Sequence, residues 1–156
     1  MIWWEDFKVG DQAEIGRHTF NEEEIVAFGR QFDPQPFHVD DVAAARGPFG
    51  KLAASGWHTA AGWMNCFVAS NDRAIAMLKE ARRPVPVVGP GAGFTNLKWL
   101  KPVYPGDTVA YRSVVTGKRD LASRPQWGIV ETLNEGFNQH GELVFSFEGK
   151  VLVKKL

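Results

Sequence analysis

The stretch AASGWHTAAGWMNCFVAS, residues 53 to 70, places small and large apolar side chains on nearly every face of a helix. A surface helix keeps one polar side, and a helix without one must be buried. That requirement constrains the fold more than any other feature, because some other part of the chain has to wrap this segment. Ser55 suits the cap position at its start, and Gly56 follows with no side chain. The apolar tract is interrupted by His58, Thr59, Asn65 and Cys66 and is too short to span a bilayer.

The wrapping is supplied by the second half of the chain, where from about residue 93 the apolar period becomes two. In ELVFSFEGKVLVK, Leu143, Phe145, Phe147, Val151 and Val153 fall on one side, and Ser146, Glu148, Lys150 and Lys154 on the other. DTVAYRSVVTGK and FTNLKWLK repeat that rhythm, WGIVETLNEGF supplies a further strand closed by a turn at NQHGE, and DQAEIGRHTF predicts an early strand in the same sheet. Residues 21 to about 82 are otherwise helical in pattern. Asn21 with Glu24 predicts a capped start, and Ile25, Phe28 and Phe32 follow at helical spacing. SNDRAIAMLKEARR predicts a helix of its own, capped by Ser70 or Asn71, and the proline- and glycine-rich RPVPVVGPGAG ends the helical half. Helices grouped on one face of an antiparallel sheet make an α+β fold. A curved antiparallel sheet wrapped around a long central apolar helix is the hotdog fold, which accounts for both patterns.

A chain of 156 residues without internal repeats fits a single domain over residues 1–156. Eighteen basic and eighteen acidic residues cancel, so the broad positive field that drives binding to nucleic acid or a membrane surface is missing. Cys66 is the only cysteine and sits in apolar surroundings, which predicts a structural thiol and a reducing compartment. MIWWEDFKVGD carries acids and tryptophans where a signal peptide would carry a basic end and an apolar run. The expectation is a soluble, cytoplasmic protein.

Between the first helix and the apolar segment lies RQFDPQPFHVDD, with Asp33 and His38 five residues apart and Pro34 and Pro36 between them. Two residues with φ fixed near −65° make this loop stiff. By itself it is either a solvated polar turn or a means of holding a carboxylate and an imidazole at a working distance. The spacings that bind metal, His-x₃₋₅-His or Cys-x₂₋₄-Cys, are absent, so no metal is expected.

FDPQPFHVDDVAAA resembles the signature of the MaoC-like dehydratases and (R)-specific enoyl-CoA hydratases, in which Gly-Asp-x-Asn-Pro-aliphatic-His is followed after five residues by Ala or Ser. Asp33, Pro36, His38 and Ala44 match it, while Phe32, Gln35 and Phe37 depart from it. AASGWHTAA resembles the family's entry to its central helix, with the glycine at Gly56, and LKPVYPGDTV resembles its strand-turn-strand. The likeness runs from about residue 10 to 153. It implies a hydro-lyase that adds water reversibly to a trans-2-enoyl-CoA, giving a (3R)-3-hydroxyacyl-CoA. It also implies a homodimer or higher homo-oligomer with the active site near the interface, and a place in fatty acid metabolism.

Hydration needs a base for the attacking water and a proton for C2, and a positioned acid or base contributes roughly 10² to 10⁴ in rate. Asp33 and His38 are the candidate pair, with their individual roles left open. Negative charge building on the thioester oxygen calls for a donor, and the Gly56 backbone N–H at a helix N-terminus is suited to it. Ser55, Phe37, Trp57 and Trp63 are candidate substrate-binding residues. Aromatic bulk along an acyl tunnel, from residues such as Trp63 and Phe67, would favour a short or compact acyl group. Arg82 with Arg83 and Lys98 with Lys101 are candidates for the coenzyme A phosphates. No cofactor is expected beyond coenzyme A as part of the substrate. The alternatives are a hotdog acyl-CoA thioesterase and a non-catalytic module that binds acyl thioesters, since fold does not fix function.

Overall fold

The structure is a computed structural model that describes residues 3–156; Met1 and Ile2 lie outside it. After a 3₁₀ turn at Trp4–Asp6, the elements are β1 (Gln12–Thr19), α1 (Glu22–Phe32), α2 (Pro36–Val39), α3 (Asp41–Ala45), α4 (Gly56–Glu80), β2 (Val88–Trp99), β3 (Thr108–Asp120), β4 (Trp127–Phe137) and β5 (Leu143–Lys154). The strands form one antiparallel sheet in the order β1-β3-β4-β5-β2, with α4 against it. This is the hotdog fold.

Local chemistry explains the helical entries. The Asn21 side chain accepts a hydrogen bond from Glu24 N at 2.8 Å, so one of the orphan N–H groups of α1 is satisfied. Ser55 does the same for α4, accepting from Trp57 N at 3.2 Å. The core lies between α4 and the sheet. Trp63 and Cys66 of the helix meet Ile15, Tyr111, Phe145 and Phe147, and the Tyr111 hydroxyl donates to Thr59 O at 2.8 Å.

Two expectations are corrected. Ser70 and Asn71 do not start a new helix, because α4 runs unbroken for 25 residues from Gly56 to Glu80. Ser70 and Asn71 are half-buried rather than solvated there, and one turn on, Arg73 ties the helix to the sheet by donating to Ile15 O at 3.2 Å. The glycine- and proline-rich run is not all loop either, since β2 begins at Val88 and contains Gly89, Pro90, Gly91 and Gly93. β2 is an edge strand whose register slips between Val88 and Gly91, between Gly91 and Gly93 and again between Thr95 and Lys98. An edge with bulges is the place where a sheet accepts proline and glycine. Asn96, at φ 54°, lies within the last of these irregular stretches.

Nor is α4 covered on every side within one chain. Trp57, Met64 and Val68 stay about half exposed on its outer face.

Candidate active site

Asp33 and His38 meet at the N-terminal end of α4. Asp33 is the residue at which α1 stops, and its N–H still reaches back to Gly29 O. Pro34 interrupts the helix, and Pro36 opens the single turn of α2 that presents His38. Five residues of backbone thus bring the two side chains together, with His38 Nε2 3.4 Å from Asp33 Oδ2. His38 is only 5% exposed. Its ring is held by Phe37 edge-on at 4.6 Å and by Phe49 across the other side at 6.4 Å.

The second nitrogen of the ring fixes its tautomer. His38 Nδ1 lies 2.6 Å from Ala53 O, and a carbonyl oxygen only accepts, so Nδ1 carries a hydrogen and donates it. In the neutral ring, Nε2 therefore presents its lone pair toward Asp33.

Each Asp33 oxygen has a donor. Gln35 Nε2 donates to Oδ1 at 2.8 Å, and Ser55 Oγ donates to Oδ2 at 2.7 Å. Burial disfavours the charged carboxylate, but these two hydrogen bonds and the proximity of His38 outweigh it, and Asp33 is held below the ordinary carboxylate range. When Asp33 is ionised and the His38 ring is neutral, Oδ2 and Nε2 are both acceptors. Two acceptors 3.4 Å apart are close enough to accept from one group set to the side of the line between them, and a water molecule has the two hydrogens such a group needs.

The remaining candidate residues are placed as follows. Gly56 is the first residue of α4, and its N–H has no hydrogen-bond partner among the described residues. Ser55 is buried at 1% exposure with its hydroxyl engaged by Asp33 and Trp57 N, so it supports the pair from behind. The Trp99 indole lies over Gly56, where a Cβ would meet its ring carbons at 2.5 Å, and it packs edge-on against Trp57 at 5.0 Å. Trp63 is buried, stacks with Phe67 at 5.1 Å and meets Phe147 edge-on at 4.7 Å. These three aromatics border a cavity of about 640 Å³ between the middle of α4 and the sheet.

Among the cationic candidates, Arg82 and Arg83 follow the far end of α4, which is roughly 36 Å long, and are not brought to this site in the chain. Lys101 pairs with Glu142, while Lys98 is exposed beside Trp99. His58 is buried and stacked on Phe28 at 4.6 Å.

Asp33 and His38 are legible in the sequence because the loop holding them is local. The contributions of Ala53, a carbonyl, and of Gln35, which departs from the family pattern, carry no comparable signal.

A family model described as "MaoC like domain" matches residues 8–133. The chain belongs to the MaoC-like domain family. A crystal structure of a MaoC-like dehydratase from Rhodospirillum rubrum is 36% identical, covers 100% of this chain and 99% of its own, and superposes with a TM-score of 0.79. An uncharacterised Bacillus subtilis protein, YdeM, is 28% identical over 97% of this chain and 98% of its own length. A mesaconyl-CoA hydratase of Cereibacter sphaeroides is 40% identical over 63 residues, which are 40% of this chain and 18% of that protein. Membership of this MaoC-like family supports hydratase or dehydratase chemistry for the chain.

Proposed function

We propose that this MaoC-like protein adds water reversibly to a trans-2-enoyl-CoA, yielding a (3R)-3-hydroxyacyl-CoA. The observation that carries the reading is the 3.4 Å gap between His38 Nε2 and Asp33 Oδ2 at the N-terminus of a long helix. A water seated beside the two atoms would donate one hydrogen to each and turn an oxygen lone pair outward, toward C3 of the substrate.

As the C3–O bond forms, His38 Nε2 takes one proton of the water and Asp33 holds the other hydrogen. The C2=C3 electron pair moves toward the thioester, placing negative charge on its oxygen, where the Gly56 N–H and the positive end of the α4 dipole stabilise it. The proton on Nε2 then passes to C2. Atoms and charge balance, and Asp33 stays ionised throughout, as its two hydrogen-bond donors favour. The (3R) configuration follows from the family resemblance.

The acyl tail would run along α4 toward Trp63. Trp63 lies seven residues from Gly56, roughly 10 Å along the axis, so a short acyl group ends before the cavity and a long one reaches it. Trp57 and Phe37 would border the mouth, and Lys98 would be the cation closest to the coenzyme A phosphates. The partner would be a second copy of the chain, paired through the exposed face of β2 and α4.

The experiment is hydration of crotonyl-CoA, followed by loss of the enoyl thioester absorbance, for the parent, Asp33→Asn and His38→Ala. Each variant should lose roughly 10²-fold to 10⁴-fold in kcat. A parent inactive on every chain length, or either variant at full rate, would sink the reading.

A further inference from the structure

Gln35 stands where the family pattern has an asparagine one methylene shorter, and three of its polar groups bond to Asp33 or His38. Its side-chain amide donates to Asp33 Oδ1 at 2.8 Å. Its backbone N–H donates to Asp33 O at 2.8 Å, and its carbonyl accepts from His38 N at 2.9 Å. It occupies the N-cap position of α2, where a polar side chain ordinarily accepts from the first turn, yet it makes no such bond. The side chain folds back toward Asp33 instead.

We propose that Gln35 is a positioning residue for this reaction, which holds the Asp33 carboxylate in the one rotation that aims Oδ2 at His38. A carboxylate on its own turns freely about χ2, since that torsion is broad and two-fold. Ser55 holds only Oδ2, so with Ser55 alone Asp33 could swing about that contact and exchange its distance to His38 Nε2. A second donor on Oδ1 removes this freedom. Pro34 and Pro36, on either side of Gln35, fix the backbone from which the amide reaches, so the clamp is set before substrate arrives. The same hydrogen bond favours the ionised carboxylate, which is the form that accepts from water.

This inference rests on the hydratase reading, and the test separates the two. Gln35→Leu keeps the bulk and removes the amide; Gln35→Glu is isosteric and places a second carboxylate beside Asp33. Gln35 is exposed, so neither change opens the core. Two measurements are made on each variant: the pH profile of kcat for enoyl-CoA hydration, and the titration of the Asp33 side-chain carboxyl carbon by NMR. The expected result for Gln35→Leu is a fall in kcat of roughly tenfold with KM within about twofold, and a carboxyl titration moved upward by roughly half a unit to one unit. Gln35→Glu should move both the titration and the acid limb further in the same direction.

A KM that rises while kcat and the titration stay fixed would assign Gln35 to substrate contact and overturn the proposal. So would an unmoved titration in both variants. If the parent shows no hydratase activity but the titration moves as stated, the clamp stands and the hydratase reading falls.

Discussion

Two of the three residues that depart from the family pattern, Gln35 and Phe37, contact the Asp33–His38 pair. Phe37 takes the place of a branched aliphatic residue and lays its ring edge-on against His38, with Phe49 completing the enclosure. Phe32 projects into solvent beside Phe28. His58 illustrates a different consequence of burial. Loss of water, with the charge of nearby His18 adding to it and Glu24 opposing, pushes its pKa down from 6.5 to about 4. The unfolded chain therefore binds a proton more readily than the folded one between those values. Stability is complete above pH 6.5 and is lost as pH falls toward 4, by at most about 3 kcal/mol from this residue. His58→Phe, which keeps a ring against Phe28, should flatten the fall in Tm between pH 7 and pH 4.5. An unchanged slope would mean that His58 is not the group responsible. The apolar run predicts the helix that carries His58, but a ring stacked between α1 and α4 depends on packing across 30 residues and leaves no local pattern.

At the scale of elements, what could be read in advance followed how local each signal is. The Asn21 and Ser55 caps were legible because side-chain capping spans only two or three residues. The continuity of α4 past Ser70 was not, since a cap-like pair and a mid-helix pair look alike until tertiary contacts such as Arg73 to Ile15 O are in place. The start of β2 at Val88 was hidden for a related reason: glycine and proline mark loops on average, and only the position of a strand at a sheet edge reverses that. Trp99 of β2 closes over Gly56 of α4, which ties the sheet edge to the proposed oxyanion donor. An added methyl at residue 56 would meet the indole at 2.5 Å. Although alanine is ordinarily the better helix former, Gly56→Ala should destabilise the protein by about 1–3 kcal/mol through this clash and lower kcat by displacing the ring. In a double-mutant cycle, Trp99→Ala should remove most of the Gly56→Ala penalty. Additive effects, measured by chemical denaturation, would show that the ring is not what Gly56 accommodates.

For the whole molecule, the feature that a single chain leaves unexplained is its outer apolar surface. Trp57, Met64 and Val68 on α4 and Phe94 and Trp99 on β2 are all about half exposed, and the contact of Trp57 with Trp99 joins the two groups. A sheet edge with unpaired backbone groups beside such a surface is a template for pairing with another strand. Acidic and basic residues balance, so overall charge does not oppose self-association. In a two-fold dimer each residue near the axis meets the same region of the partner, so one substitution acts twice. Phe94 is 58% exposed in the single chain, so Phe94→Glu removes little from the stability of an isolated subunit while placing two like charges at a β2-mediated interface. Sedimentation should give a dimer for the parent and a 17.4 kDa particle for the variant. A parent that sediments as a 17.4 kDa particle would rule out the dimer, and a variant that stays dimeric would move the interface away from β2. Because Trp99 links that strand to Gly56, dissociation should also lower kcat. A monomeric variant with full activity would show that the site at the head of α4 is complete within one chain.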